Sequence, residues 1–144
     1  MRWVVLLAVF ALGGCASDIG PSDAELRQRW EAQNIAPVAY KADLIAFLRT
    51  YLNDPTHIRG ASVSLPQRKM IGPGERYVVC VRYTEGRNAG QREGVATFVS
   101  GKLDRFFDVT RGRSDRSLDA PPEAREFCKD AAYVAFPELE TLKR

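Results

Sequence analysis

Residues 76–83 have the sequence RYVVCVRY, and this stretch decides the fold of the 144-residue chain. Its aromatic and β-branched residues favour a β-strand. Successive side chains in a strand point to opposite faces, so one face would carry Tyr77, Val79, Val81 and Tyr83 and the other Val78, Cys80 and Arg82. Because both faces are mostly apolar, we expect a central strand that is covered on both sides.

Three further strands are predicted around this one. Residues 61–65 alternate apolar and small polar side chains, which is typical of a half-buried strand. Residues 95–99 and 103–107 are separated by Ser100-Gly101, a two-residue connection typical of a hairpin. Residues 85–94 are polar and contain Gly, so they predict a loop.

An amphipathic helix is predicted before the strands. The apolar residues between 39 and 52 recur with helical spacing, at Leu44, Ile45, Leu48, Tyr51 and Leu52. Asn53-Asp54-Pro55 should end this helix, because Pro55 disfavours helical geometry at Asp54. We expect the apolar stripe to face the core.

Two other helices are indicated at the ends of the chain. Residues 22–25, SDAE, match a capping box and predict a short helix to about Gln33. Its apolar residues Leu26 and Trp30 are four positions apart, so they would dock on this domain or on a partner. A last helix after Pro121-Pro122 would carry one apolar face, made of Ala124, Phe127, Cys128 and Ala131.

This order of elements indicates an α+β fold. We expect a small antiparallel sheet of about four strands, covered by the amphipathic helix and the C-terminal helix. Residues 38–144 would form this single domain, and residues 15–37 would be a tether with one short helix. The composition, 45% hydrophobic and 27% charged, is ordinary for a globular protein and argues against disorder.

The N-terminus has the pattern of an export signal. Met1-Arg2 is a short basic start, and residues 3–12, WVVLLAVFAL, are all apolar. As a helix, this run would rise about 15 Å, half of the roughly 30 Å that a membrane span requires. We therefore predict a cleavable signal peptide over residues 1–14, although a buried apolar strand of a cytosolic protein has a similar composition.

The run Leu12-Gly13-Gly14-Cys15 resembles the lipobox of bacterial lipoproteins. The resemblance implies that Cys15 carries a diacylglycerol and becomes the first residue after cleavage, so the membrane is a partner through the lipid on Cys15. An ordinary secretory signal cleaved nearby is the alternative. Ala16 rather than Asp follows Cys15, which by the same resemblance favours the outer membrane over the inner membrane, on the periplasmic side of the cell envelope.

Residues 52–107 also resemble a group of small lipoproteins of alphaproteobacteria. The similarity lies in Asp54-Pro55 with Arg59, in Val79-Cys80-Val81, in Asn88-Ala89-Gly90 with Gly94, and in the hairpin from Phe98 to Leu103. This resemblance implies a lipid anchor and a single periplasmic domain. It implies no particular activity.

The cysteine count agrees with this address. Lipid on Cys15 would leave an even pair, Cys80 and Cys128, which could form a disulfide in an oxidising periplasm. Two buried thiols are the alternative. The cysteine spacings fit no zinc motif and His57 is the single histidine, so we predict neither a metal nor a cofactor.

No motif for catalysis is present. Nucleophilic catalysis usually needs a histidine base, and His57 lies in a predicted turn where a surface role is typical. The net charge of +3, or +2 once Arg2 is removed, is too small to predict a nucleic-acid partner. We therefore expect a non-enzymatic binding or structural module. The alternatives are a cell-wall-acting enzyme and an inhibitor of a hydrolase.

Two irregular segments, 85–94 and 108–116, are the predicted binding loops. Loops on a rigid sheet often carry recognition, and arginine binds carboxylates and phosphates well. The arginines concerned are Arg87, Arg92, Arg111, Arg113 and Arg116. They would suit an envelope protein or an anionic cell-wall polymer, whereas simple solvated loops are the alternative.

Overall fold

The computed structural model describes residues 20–87, 89–110 and 121–143, which form an α+β fold with an open antiparallel sheet. The strands are β1 (Ile58–Ser64), β2 (Gln67–Ile71), β3 (Gly74–Glu85), β4 (Gln91–Val99), β5 (Lys102–Asp108) and β6 (Tyr133–Ala135). The helices are α1 (Asp23–Ala32), α2 (Tyr40–Tyr51), α3 (Ala124–Phe127) and α4 (Pro137–Glu140). Within the described residues, none of the helices has the length and apolar character that crossing a bilayer requires.

Strand β3 lies at the centre of the sheet, as its sequence predicts. One edge pairs with β4 from Tyr77 to Thr84, and β5 continues the sheet beyond β4. The other edge is shared, because β2 pairs with the first part of β3 and β1 pairs with the last part. Pro66 lies between β1 and β2, where its missing N–H cannot break a continuous ladder.

The sheet has two strands that the sequence analysis did not predict. Strand β2 is a half-exposed hairpin partner rich in charged residues, so its apolar alternation is weak. Strand β6 is only three residues long and pairs with the outer edge of β1. Strands β3 and β4 are also longer than predicted, which reduces the predicted loop 85–94 to residues 86–90.

The predicted C-terminal helix over residues 124–131 is a single turn. Helix α3 ends at Phe127, and Cys128 is its C-cap. The chain then turns toward β1, and β6 pairs with it. Backbone hydrogen bonds between these two strands replace the internal hydrogen bonds of the longer predicted helix. Helix α4 follows and places Leu139 in the core.

The two faces of the sheet are covered by different elements. The face formed by Val79, Val81 and Tyr83, here called the α2 face, packs against Leu44 and Leu48 of α2 and also against α4. The opposite face of β3, which carries Val78 and Cys80, packs against α3 and is called the disulfide face. Complete burial of an aliphatic side chain stabilises a fold by about 1.5–3 kcal/mol, so both layers contribute.

A disulfide joins Cys80 of β3 to Cys128, as the cysteine count predicts. The two Cα atoms are 5.7 Å apart, and the residues are separated by 48 positions in the sequence. Both cysteines are buried in the cluster on the disulfide face. The bond therefore fastens the C-terminal segment to the central strand.

Helix α1 begins with the predicted capping box, in which Ser22 and Glu25 exchange hydrogen bonds. The helix docks through Trp30, whose indole Nε1 donates to the Glu75 carbonyl at 2.9 Å. The ring lies against Gly72 and Gly74 at the β2–β3 turn. Leu26, by contrast, is 41% exposed. Of the two predicted docking residues, only Trp30 packs on the described sheet.

The hairpin between β4 and β5 has the predicted two-residue turn. Ser100 and Gly101 have φ angles of 51° and 74°, which is the left-handed geometry of a type I′ turn. This turn matches the twist of the strands, so β4 and β5 stay paired up to Val99 and Lys102.

We expect the Cys80→Ala/Cys128→Ala variant to unfold more easily by about 4 kcal/mol, because the unfolded chain regains the entropy of a loop of nearly fifty residues. Urea denaturation followed by circular dichroism measures this loss. Cys15→Ser is the control, because it leaves the disulfide in place. Alkylation of both thiols in the folded, unreduced protein would contradict the prediction.

We expect Gly74→Ala to displace Trp30, because a Cβ at this position would lie 2.8 Å from the indole Cδ1. Overpacking of this kind costs about 1–3 kcal/mol. With Trp3→Phe as background, Trp30 is the sole tryptophan and its emission should shift to longer wavelength. Gly90→Ala is the matched control, since its Cβ would meet open space. Identical emission of the two variants would show that Trp30 is not docked against Gly74.

Candidate functional site

A cavity of about 330 Å³ lies on the disulfide face, beside α1. Five lining residues are apolar or aromatic: Trp30, Ile71, Val99, Phe107 and Pro121. Four are polar: Arg76, Thr97, Asp104 and Arg105. The sheet places these residues together, because Val78 of β3 is in register with Thr97 of β4, and Val95 is in register with Phe107 of β5. The candidate site is therefore built on strands and on the end of α1.

Arg76 is the most unusual residue of the cavity wall, because it is a cation that is only 4% exposed. Its Nη1 donates to the Trp30 carbonyl and its Nη2 to Gln33 Oε1. Its guanidinium also stacks on the indole ring, 3.7 Å from the centroid. Three groups of the α1 end thus hold this side chain in one position.

The charge of Arg76 is only weakly balanced. Burial lowers the pKa of its guanidinium, and the negative charges of Asp104 and Glu31 partly oppose this effect. The guanidinium nevertheless stays protonated, since an arginine does not lose its proton in a protein. Among residues 20–87, 89–110 and 121–143, no carboxylate oxygen lies within 4 Å of its nitrogens. The carboxylate of Asp104 lies 3.8 Å from Arg105 Nε.

A second polar cluster lies on the α2 face and contains the acids Glu85 and Asp108. Their side chains are 8% and 6% exposed. Arg92 bridges them, with Nη2 3.6 Å from Glu85 and Nη1 3.5 Å from Asp108. Backbone N–H groups donate to both acids, from Asp54 to Glu85 and from Thr110 to Asp108. The acids are therefore engaged in holding strand ends and loops together.

Tyr83 adds a buried hydroxyl to this cluster. Burial and then the charge of Asp108 raise its pKa far above the usual value, so the phenol stays neutral. The hydroxyl makes no hydrogen bond within the part of the chain that the structure describes. A neutral phenol beside two paired acids stabilises the cluster through packing and is not a base at neutral pH.

A third polar cluster lies on the disulfide face, near the C-terminal end of β3 and therefore at the opposite end of the strand from Arg76. The guanidinium of Arg82 lies 2.8 Å from Glu93 and 3.9 Å above the ring of Tyr133. The Tyr133 hydroxyl donates to the same Glu93 oxygen at 2.7 Å. Burial and this hydrogen bond raise the pKa of Tyr133 well above its usual range. These contacts connect the edge strand β6 to β4 across the face of the sheet.

Two of the five arginines in the predicted binding loops, Arg87 and Arg92, belong to the described residues. Arg87 is exposed in the short loop, and its carbonyl accepts a hydrogen bond from Arg59 at 2.8 Å. Arg92 is not in a loop, since it belongs to β4 and its guanidinium contacts Glu85 and Asp108. Arg111, Arg113 and Arg116 lie outside the described residues, as does Cys15.

His57 lies in an exposed 3₁₀ turn, Pro55–His57, that follows α2. Its Nδ1 is 2.7 Å from Asp54 Oδ2, and Asp54 also accepts from the Thr56 hydroxyl and N–H. These hydrogen bonds, that of Thr56 first, lower the pKa of Asp54. The arrangement caps the turn. Among the described residues, no group of three His, Cys, Asp or Glu side chains is placed to hold a metal ion.

The sequence analysis did not identify the cavity residues. Trp30, Arg76 and Arg105 belong to three separate elements, and their meeting depends on how α1 crosses the end of the sheet. One signal is present in the sequence: Arg76 lies two residues before Val78, on the same face of the strongest strand as Val78 and Cys80. A comparison with known proteins found no matching family model, no matching curated protein and no matching solved structure.

We expect Arg92→Met to lower the free energy of unfolding by about 2 kcal/mol, because it leaves two buried carboxylates without their cation. The loss falls below that of a fully buried ion pair because Arg92 is 35% exposed. The double variant Arg92→Met/Asp108→Asn should recover part of the loss. Urea denaturation measures these differences, with Arg87→Met as the exposed control. Equal stability of Arg92→Met and Arg87→Met would show that Arg92 does not neutralise the acids.

Proposed function

We propose that this chain is an exported lipoprotein, anchored by lipid on Cys15, whose domain binds a component of the cell envelope. The supporting observation is the Cys80–Cys128 disulfide in the core. Disulfides persist in oxidising compartments and are rare in the cytosol. The bond uses two of the three cysteines and leaves Cys15, the residue within the lipobox-like run, for the lipid.

Firm anchoring would follow from the chemistry of that residue. A diacylglycerol brings two acyl chains, and each buried CH₂ contributes about 0.8 kcal/mol, so the attachment is far stronger than that of a single chain. The outer membrane, facing the periplasm, is the proposed site because Ala16 rather than Asp follows Cys15. The lipid makes the membrane itself one partner of the protein.

A binding role accounts for the chemistry of the domain better than a catalytic one. The cavity has apolar walls and one buried guanidinium, which is the composition of a ligand site. A cell-wall-acting enzyme would need acids that can reach a substrate, whereas Glu85 and Asp108 are buried and in contact with Arg92. His57 is hydrogen-bonded to Asp54 in an exposed turn. An envelope protein or an anionic cell-wall polymer is the proposed class of partner.

We expect the intact mass of the membrane-extracted protein to show loss of residues 1–14 and addition of a diacylglycerol. Cys15→Ser should move the protein from the membrane fraction to the soluble fraction, with the Cys80–Cys128 bond still formed. Ser17→Ala is the matched control and should stay with the membrane. An unmodified chain that begins at Met1 would overturn the proposed anchor.

A further inference from the structure

We propose that the cavity on the disulfide face binds a small organic carboxylate with an apolar body, and that Arg76 holds its carboxylate group. This inference rests on the proposed binding role of the domain and is independent of the lipid anchor. Three features of the site lead to it: the charge of Arg76, which no carboxylate of the described residues contacts within 4 Å, the apolar walls with their volume, and the way in which α1 holds the guanidinium.

The charge of Arg76 requires an anion. A buried ion is costly unless another charge pairs with it, and the carbonyl and amide oxygens that Arg76 contacts carry only partial charge. A guanidinium has five N–H donors, and the hydrogen bonds to Trp30 and Gln33 use two of them. Within the described residues, donors therefore remain for a ligand in the cavity that Arg76 lines.

The walls select an apolar body. Trp30, Ile71, Val99 and Phe107 surround the space with hydrocarbon and aromatic rings. The volume of about 330 Å³ is at the small end of the range for ligand sites, roughly 300 to 1,000 Å³. A ring or short chain with one polar end fits this space.

The charge balance favours a carboxylate over a phosphate ester. Arg76 and Arg105 contribute two positive charges to the wall and Asp104 contributes one negative charge, which leaves a net charge of +1. A carboxylate brings a single negative charge and matches this surplus. A phosphate ester brings about 1.5 to 2 negative charges near neutral pH, which exceeds it.

The site is organised before a ligand enters. Arg76 is fixed by the Trp30 carbonyl, by Gln33 and by the indole ring, so binding does not have to order a long side chain. In a flexible site, binding also costs side-chain freedom, and this cost is avoided here. Arg105 is largely exposed and adds a second cation to the cavity wall.

The test uses the full chain with Trp3→Phe, so that the emission of Trp30 reports on the cavity. The probes share one body and differ in charge: 4-phenylbutyrate, 4-phenylbutyramide, 4-phenylbutylamine and 3-phenylpropyl phosphate. We expect 4-phenylbutyrate to change the emission saturably and to bind at least about tenfold more tightly than the neutral amide. The amine should not bind, and the phosphate should bind more weakly than the carboxylate.

Two variants assign the binding to this cavity. Val99→Phe fills the space without changing Arg76, and it should weaken 4-phenylbutyrate binding at least about tenfold. Val134→Phe places the same ring on the exposed edge strand β6, away from the cavity, and should bind as the parent does. Arg76→Gln should abolish the preference for the acid over the amide, with circular dichroism and the unfolding midpoint recorded to verify folding.

Several results would overturn the inference. These are equal binding of the acid and the amide, tighter binding of the phosphate, and unchanged binding in Val99→Phe. Binding that appears only in Asp115→Asn/Asp119→Asn would mean that a carboxylate of the chain itself already neutralises Arg76. The mass of the same sample reports lipid attachment, so a failure of the anchor and a failure of the ligand site are distinguished.

Discussion

Strand β3 must satisfy hydrogen bonds along both edges and bury side chains on both faces, and the other elements are arranged around that requirement. Strand β4 covers one edge, and β1 and β2 divide the other between them. Helices α2 and α4 cover one face, while α3 covers the other through a covalent bond to Cys80. A core this thin gains from a cross-link, because a short helix such as α3 buries little apolar surface by itself.

The candidate site requires a buried charge at the start of β3, and burial of that charge lowers the stability of the fold. Arg76 occupies a position on a buried face, where a valine would be cheaper to accommodate. Stacking with Trp30 and two hydrogen bonds offset part of that cost. Within the part of the chain that the structure describes, the guanidinium has no ion-pair partner and lies beside an apolar cavity, and such departures from a well-satisfied core are expected at binding sites.

Much of the fold followed from local patterns. The alternation around Val79, the helical stripe that includes Leu44 and the Ser100-Gly101 turn each predict an element that the structure contains. The remaining elements depend on tertiary contacts. Strand β2 is charged because one side faces water, β6 is too short for a period to show, and pairing with β1 replaces the rest of the predicted last helix. The sequence predicts a loop at Arg92 because the polar, half-exposed start of β4 has the composition of a loop.

The cysteine pair and the cavity show the same contrast. The odd cysteine count, read together with the lipobox-like run at Cys15, predicts the bond between Cys80 and Cys128. The cavity could not be predicted in this way, because it depends on the path of α1 and the partners of Arg76 are 43 to 46 positions away in the sequence. That path has a consequence for an anchored protein. Ser22 is seven positions after Cys15, and a fully extended chain over that separation spans at most about 25 Å. With lipid on Cys15, this short connection would keep the helix that supplies Trp30, and with it the cavity, close to the bilayer surface, where molecules with one charged end and one apolar end accumulate.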